Sequence, residues 1–284
     1  MNSTTGTLVT HSIEESGEMN WLRSLPFLSL HAACLAAFWT GASGRALMLC
    51  FALYVVRMFG ITAGYHRYFS HRSFRTSRVF QFILALIGCT AIQKGPLWWA
   101  AHHRHHHQYS DQLDDLHSPK QRGFWWSHVG WFLSDWYNAT QSKAIQDFSR
   151  YPELTWLNRY WVLPGVLLGV GCFLAMGWQG LVWGFFISTV LLYHGTFLIN
   201  SLCHMIGSVR YKTTDTSRNS LVLALITMGE GWHNNHHHYA TSAKMGFFWW
   251  EIDLSYYTLC LLSFCGIVWD MKKPSQRVLE AART

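Results

Sequence analysis

Four stretches of the chain are apolar enough to be read as bilayer-crossing helices: residues 25–40, 46–65, 161–177 and 181–199. About 20 apolar residues fill the hydrocarbon core, so each crosses only with help from its flanks. Gly41 to Arg45 joins the first two, and the uncharged turn Trp178-Gln179-Gly180 joins the last two. The pattern predicts two helical hairpins. Residues 79–92, 221–228 and 254–268 are apolar but too short or too broken to span, which predicts helices lying on or inside a cap. Aromatic groups flank them, as in Trp98-Trp99, Trp125-Trp126 and Phe247 to Trp250. The fold class expected is all-α integral membrane, with four transmembrane helices and a helical cap formed by 66–160 and 200–273. Residues 1–24 and 274–284 are expected as polar tails around one membrane domain, 25–273.

Composition strengthens this. Charged residues make up 13% of the chain, against about a quarter in soluble domains. Sixteen Trp suit a membrane interface. Basic residues orient the helices: the hairpin turns hold only Arg45, whereas Arg67, Arg72, Arg75 and Arg78 follow the second span and Lys272, Lys273, Arg277 and Arg283 close the chain. By the positive-inside rule both termini and the cap are cytoplasmic. The net charge of +7 is scattered and has no nucleic-acid pattern, so no nucleic-acid partner is expected. Seven Cys without a Cys-x-x-Cys pair read as reduced packing residues. Arg57, a charge inside the second span, is expected near its cytoplasmic end, facing protein.

Trp98 to His107 puts five histidines into six positions. His103, His106 and His107 stand at i, i+3 and i+4 and share one face of a helix, which suggests a tridentate half-site for iron, copper or zinc. His233, His236 and His237 repeat the spacing. His66 and His71 follow the second span, and His204 follows the fourth. All nine lie at the predicted cytoplasmic ends of helices.

These motifs resemble the membrane fatty acid desaturases, in their Δ9 acyl-CoA branch. The resemblance rests on Gly60-Ile-Thr-Ala-Gly-Tyr-His66-Arg-Tyr-Phe-Ser-His71, Arg122-Gly-Phe-Trp-Trp-Ser-His128-Val-Gly-Trp131, Asn200-Ser-x-x-His204 and Gly229-Glu-Gly-Trp-His233-Asn-Asn-His236-His237. It covers about residues 25–273. The Asn-Asn-His-His-His run has a bacterial look, so the inner membrane is the location implied.

The resemblance implies two non-haem irons, O₂ as co-substrate, and His66, His71, His103, His106, His107, His204, His233, His236 and His237 as ligands. Asn200 matches an asparagine that reaches one iron through water. The division of ligands between the irons stays open. His102, His105 and His238 lie off the His-x-x-His-His frame, His128 and His194 read as structural, and His11 and His31 as incidental. Glu230 and His117 are expected behind the ligands. Asp111, Asp114 and Asp115 are further candidates, or exposed acids. An unactivated methylene has no acidic proton, so the hard chemistry belongs to the metal and the protein supplies ligands and a dry site. A long apolar tunnel is implied for the acyl chain, with Trp99 and Thr196 along it. Tyr54, about 18 Å before His66 on a helix, stands at its far end.

The implied activity is insertion of a cis double bond into a saturated acyl chain, with acyl-CoA as the first-choice donor. Where acyl-CoA enzymes carry Arg-Asp and Arg-Lys, this chain has Ala101-His102 and Asp135-Trp136, which opens phospholipid or acyl-carrier donors. A related acetylenase, a terminal desaturase or hydroxylase, and a histidine-rich metal transporter are the alternatives. The chain holds no haem, iron–sulfur or dinucleotide motif, so a separate ferredoxin, rubredoxin or cytochrome donor is expected.

Overall fold

The computed structural model describes residues 19–281. Most of the expected N-terminal tail, with His11, lies outside the described residues. The fold is mostly helical. Helix α1 runs Trp21–Ala33 and continues through a tighter turn, Cys34–Ala36, into Ala37–Thr40. It starts before residue 25 because Asn20 accepts from the Ser24 amide at 3.0 Å and closes an extra turn. Helix α2 spans Gly44–Phe59 and continues as a π-helix, Gly60–Ser70. Ser43 caps its start by accepting from the Ala46 amide at 3.2 Å. The expected end at Tyr65 is passed by five residues, through the first histidine motif.

Helix α3 (Arg78–Thr90) lies against the π-segment at close range. A Cβ on Gly88 would sit 2.2 Å from the Tyr65 ring, so only glycine permits this approach. Helix α4 (Pro96–Tyr109) carries the central histidine run. Helix α5 begins at Pro119–Trp125, where helical geometry breaks at Gly123 (φ +78°), and runs on through Trp126–Gly130 to Trp131–Leu133. Helix α6 is Pro152–Arg159. Helix α7 (Leu163–Gln179) leads into α8, which starts as a π-helix, Gly180–Ile187, and ends at Ser188–Ser201.

Two helices, Gly44–Ser70 and Leu163–His204, are long and apolar enough to cross a membrane, while Ser24–Thr40 is shorter. The second of these is folded on itself. Helical geometry breaks at Met176 and at Gly177, where φ is +59°. Beyond the break Phe185 faces Gly169, and Gly184 faces the Cys172 sulfur, so the two arms run antiparallel.

The α1–α2 and α7–α8 turns meet at one end of the bundle. Gln179 donates to the Thr40 carbonyl at 2.8 Å and accepts from Ser43 at 2.8 Å. Trp183 donates to the Gly41 carbonyl at 2.7 Å. Arg57, 1% exposed, faces protein as expected. It donates to the Leu53 carbonyl at 3.1 Å, to Thr189 Oγ1 at 2.7 Å and to Ser188 on α8. A thread of imidazoles ties α1, α8 and α5: His31 Nε2 is 3.1 Å from His194 Nε2, and His194 Nδ1 is 2.9 Å from His128 Nε2. Such interhelical hydrogen bonds hold bundles where burial of apolar surface gives little.

At the other end sits the cap. It adds α9 (Leu221–Ile226), α10 (His233–His238), α11 (Leu254–Phe264) and α12 (Gln276–Glu280). The all-α expectation needs one correction. Strand β1 (Arg75–Thr76) pairs antiparallel with β2 (Val268–Trp269). β-Branched Thr76 and Val268 face each other there, and Thr76 Oγ1 donates to the Ile267 carbonyl at 2.7 Å. The segment after 274, expected as a tail, is anchored. Tyr211 donates to the Leu279 carbonyl at 3.2 Å, and His238 Nε2 to that of Val278 at 2.9 Å.

Gly88→Val forces a side chain into the Tyr65 ring, whose hydroxyl is already held by the Lys94 carbonyl at 3.1 Å. We expect a loss of about 1–3 kcal/mol, read as a lower unfolding midpoint of the detergent-purified protein; an unchanged midpoint would contradict the close packing of α2 on α3.

Candidate metal centre

The His-x₄-His spacing of the first motif follows from the π-helix. His71 donates its amide to the His66 carbonyl at 3.2 Å, an i→i+5 bond. In an α-helix the two side chains diverge by about 140°. One π-turn instead brings their rings to 4.9 Å between centroids.

All nine expected ligands converge, in two neighbouring groups. His66, His71, His103, His107 and His236 offer nitrogens within 4.8 Å of one another, and so do His106, His204, His233 and His237. The tridentate reading of His103, His106 and His107 is therefore corrected. Residues at i and i+4 differ by about 40° around a helix, but i+3 and i+4 by about 100°. His103 and His107 thus serve one group while His106 turns to the other. Helix α10 does the converse: His233 and His237 join His106, and His236 crosses over. Each His-x-x-His-His helix straddles both groups.

Carboxylates fix the rings. His106 Nδ1 donates to Asp115 at 2.9 Å, His204 Nδ1 to Asp111 at 3.3 Å, His237 Nδ1 to Asp215 at 2.6 Å, and His66 Nδ1 to Glu230. Each bond assigns the proton to Nδ1 and leaves the Nε2 lone pair pointing inward. Burial pushes these carboxyls up, but their partners outweigh it. His204, with Ser118 and Thr216, holds Asp111 well below the usual range; His106 does the same for Asp115, and His237 and Ser217 for Asp215. His66 and Arg67 lower Glu230. Arg67, fully buried, donates to Glu230 at 3.0 Å and pairs with Asp253 at 3.0 Å. Gly229, at φ +121°, leaves room for this network, since a Cβ there would lie 2.3 Å from Asp253.

The donor set suits metal cations. His66 Nε2 faces His236 Nε2 at 3.0 Å, and His204 Nε2 faces His233 Nε2 at 3.0 Å. With Nδ1 protonated on His66 and His204, inward lone pairs crowd together. Nε2 of His106 and of His237 is buried without a hydrogen-bond partner. Such atoms are costly unless something positive binds them.

Glu230 and His117, expected behind the ligands, both lie beside grouped rings. Glu230 accepts from His66, and the His117 ring lies 4.2 Å from that of His106, tilted by 30°. Asn200, Trp99 and Thr196 line a narrow cavity of about 40 Å³ with His66, His103, His106 and His233. Trp99 stacks on His103 at 5.0 Å, and Gln93 donates to Thr196 at 2.8 Å. Tyr54 is not on this wall. Met58, one turn later, is, and Tyr54 donates behind it to the Ile226 carbonyl at 2.7 Å.

Among the described residues, His102, His105 and His238 stay outside these two groups. His102 Nδ1 donates to the Trp98 carbonyl at 2.8 Å and His105 Nε2 to that of Asp114 at 2.9 Å. His238 stacks on Tyr211 at 4.0 Å. Asp215 was not expected; it sits in a polar loop, Thr213 to Ser217, whose sequence carries no ligand spacing.

Residues 24–258 match the family model described as Fatty acid desaturase. The chain belongs to the fatty acid desaturase family. It is an acyl-chain desaturase, an oxidoreductase of lipid metabolism. The sn-1 stearoyl-lipid 9-desaturase of Anabaena variabilis is 38% identical over 262 residues, 90% of this chain and 94% of that protein. The sn-2 palmitoyl-lipid 9-desaturase of Nostoc sp. (strain 36) is 35% identical over 256 residues, 89% of this chain and 90% of its own. The Acyl-CoA C20 Delta5-desaturase of Anemone leveillei is 37% identical over 251 residues, 87% and 80%.

Burial lowers the pKa of His71, His103, His107, His117, His233 and His236 well below the usual value, and that of His237 to about 4. The pKa of His106 is raised, where Asp115 outweighs burial. The lowered histidines stay neutral when folded and take protons on unfolding, so stability is present above about pH 6.5 and lost as pH falls below it. The chelator-treated protein should lose about 5 °C or more of unfolding midpoint between pH 7.5 and pH 5.5; a flat midpoint would show that these rings are not buried and neutral.

Proposed function

We propose that the protein inserts a cis double bond at the ninth carbon of a saturated acyl chain esterified to a membrane glycerolipid, with O₂ and two non-haem irons. The single observation that carries the metal reading is the convergence of nine imidazoles into a five-membered and a four-membered group. His66, His71, His103, His107 and His236 would hold one iron. His106, His204, His233 and His237 would hold the other, with Asn200 beside it. Bound iron would supply the O₂-activating chemistry that an unactivated methylene needs.

The rest is work for the chain's own residues. Asp111, Asp115, Asp215 and Glu230 keep protons on Nδ1 and aim Nε2 inward. Trp99, Met58 and Ile61 keep the wall beside His66 and His103 apolar, and Thr196, Thr62 and Asn200 add the polar groups there. The cavity admits a water molecule or two, so acyl entry requires Met58 and its neighbours to move apart. Four spans in two hairpins are supported by the chain reversal at Met176–Gly177, and an inner-membrane location with a cytoplasmic cap and termini is proposed with them. The adjoining hairpin turns and the distribution of basic residues support them as well. Membership of the desaturase family leaves the metal-transporter reading without a specific observation.

The donor proposed here differs from the acyl-CoA first expected. Ala101 and His102 are buried, and His102 spends its Nδ1 on its own helix, so neither offers a phosphate contact. Asp135 and Trp136 add no cation, whereas CoA phosphates call for Arg or Lys. Two of the similar proteins named above act on stearoyl-lipid and palmitoyl-lipid.

Purified protein loaded with iron should hold two per chain, and Asp115→Asn should weaken metal retention by about 10–100-fold, measured by metal analysis after graded chelation. Retention equal to wild type would remove Asp115 from its supporting role. Supplied with matched stearoyl substrates, the enzyme should desaturate the glycerolipid and leave stearoyl-CoA largely unchanged; preference for the thioester would restore the CoA reading.

A further inference from the structure

We propose that a cleft of about 770 Å³ on the cap is the docking site for an acidic one-electron carrier protein, and that His71 is the residue through which its electrons enter. This rests on the desaturase reading. Removing two hydrogens from an acyl chain while O₂ becomes two waters requires two further electrons and two protons. Within these 284 residues there is no haem, iron–sulfur or dinucleotide motif to supply the electrons.

The cleft lies between the end of α2, strands β1 and β2, and the segment before α6. Its rim carries Arg72, Arg75, Arg150 and Lys272 against Asp147 and Asp270. Arg72 meets Asp147 at 3.6 Å and Arg75 meets Asp270 at 3.3 Å. The Arg75 side chain is still 75% exposed, and Arg150 and Lys272 are exposed as well. Positive charge therefore remains on the rim, together with the exposed ring of Trp269. Fields of this kind steer an acidic partner and weaken with salt.

The floor makes the cleft more than a basic patch, because His71 lines it. That ring's Nε2 is 2.9 Å from His103 Nε2 inside the five-histidine group. A carrier seated here is separated from the centre by one imidazole. The acyl cavity, lined by His66 and His103, shares no lining residue with the cleft. A lipid whose chain reaches the centre through that cavity therefore leaves the cleft free, which favours a protein over a lipid headgroup as its occupant.

The test uses the full-length iron-loaded enzyme in neutral phosphatidylcholine nanodiscs. Reduced plant-type [2Fe–2S] ferredoxin is the probe, beside reduced methyl viologen as a small carrier. Arg150→Glu/Lys272→Glu should raise the KM for ferredoxin about tenfold and flatten its salt dependence, with viologen-driven desaturation unchanged. Arg75→Glu should act in the same direction. Ferredoxin kinetics unaffected by either variant would overturn the proposal. So would an equal loss with viologen, which would mean damage to the centre, or an effect seen only when anionic lipid is present, which would assign the cleft to headgroups. Absence of unsaturated product from wild type with both carriers would remove the desaturase reading, and this proposal with it.

Discussion

Imidazole lone pairs repel one another unless a cation lies between them, and nine of them are packed here within a buried space. Everything around the centre answers that constraint. The rings come from four separate stretches of chain, and two short helices interleave them. Because i and i+4 align on a helix and i+3 does not, α4 and α10 each send a pair one way and a single ring the other. The two groups cannot be built independently. Any rotation of either helix that improves one group spoils the second.

The two groups are unlike in their support. Three of the four rings around His106 rest on carboxylates, from Asp111, Asp115 and Asp215. Among the five rings around His71, the carboxylate bond described is that of His66 to Glu230. Fewer imidazoles are thus compensated by more negative charge behind them, which strengthens each as a donor. Glu230 is in turn locked by Arg67 and Asp253 in an interior where a free carboxylate would be costly. That lock depends on the missing side chain of Gly229.

Much of this was legible in the sequence. The apolar runs marked the helices, and the nine histidines stood out by spacing and by resemblance to the desaturases. Helix ends were less legible. Polar Asn20 lengthens α1, and the π-segment carries α2 on to Ser70, though both stretches read as breaks in an apolar run. The i→i+5 geometry of His66 and His71 was present in their spacing, but an α-helical frame hides it. The division of His103, His106 and His107 between two groups depends on where α10 lies, which is a tertiary fact. Asp215 gave no local signal, because a ring-orienting carboxylate needs only to be near in space. Asp111 and Asp115 could equally have been exposed acids until the loop after α4 folded them under His204 and His106.

The contact between His66 and His236 joins residues 170 positions apart. Nearly the whole chain must therefore be synthesised, and α2 and α10 must be in position, before the last ring arrives. A growing chain on the ribosome can present single histidines but not a finished cage. Capture of a metal by this cage is thus coupled to completion of the fold: a chain cut short before α10 lacks the rings that close either group.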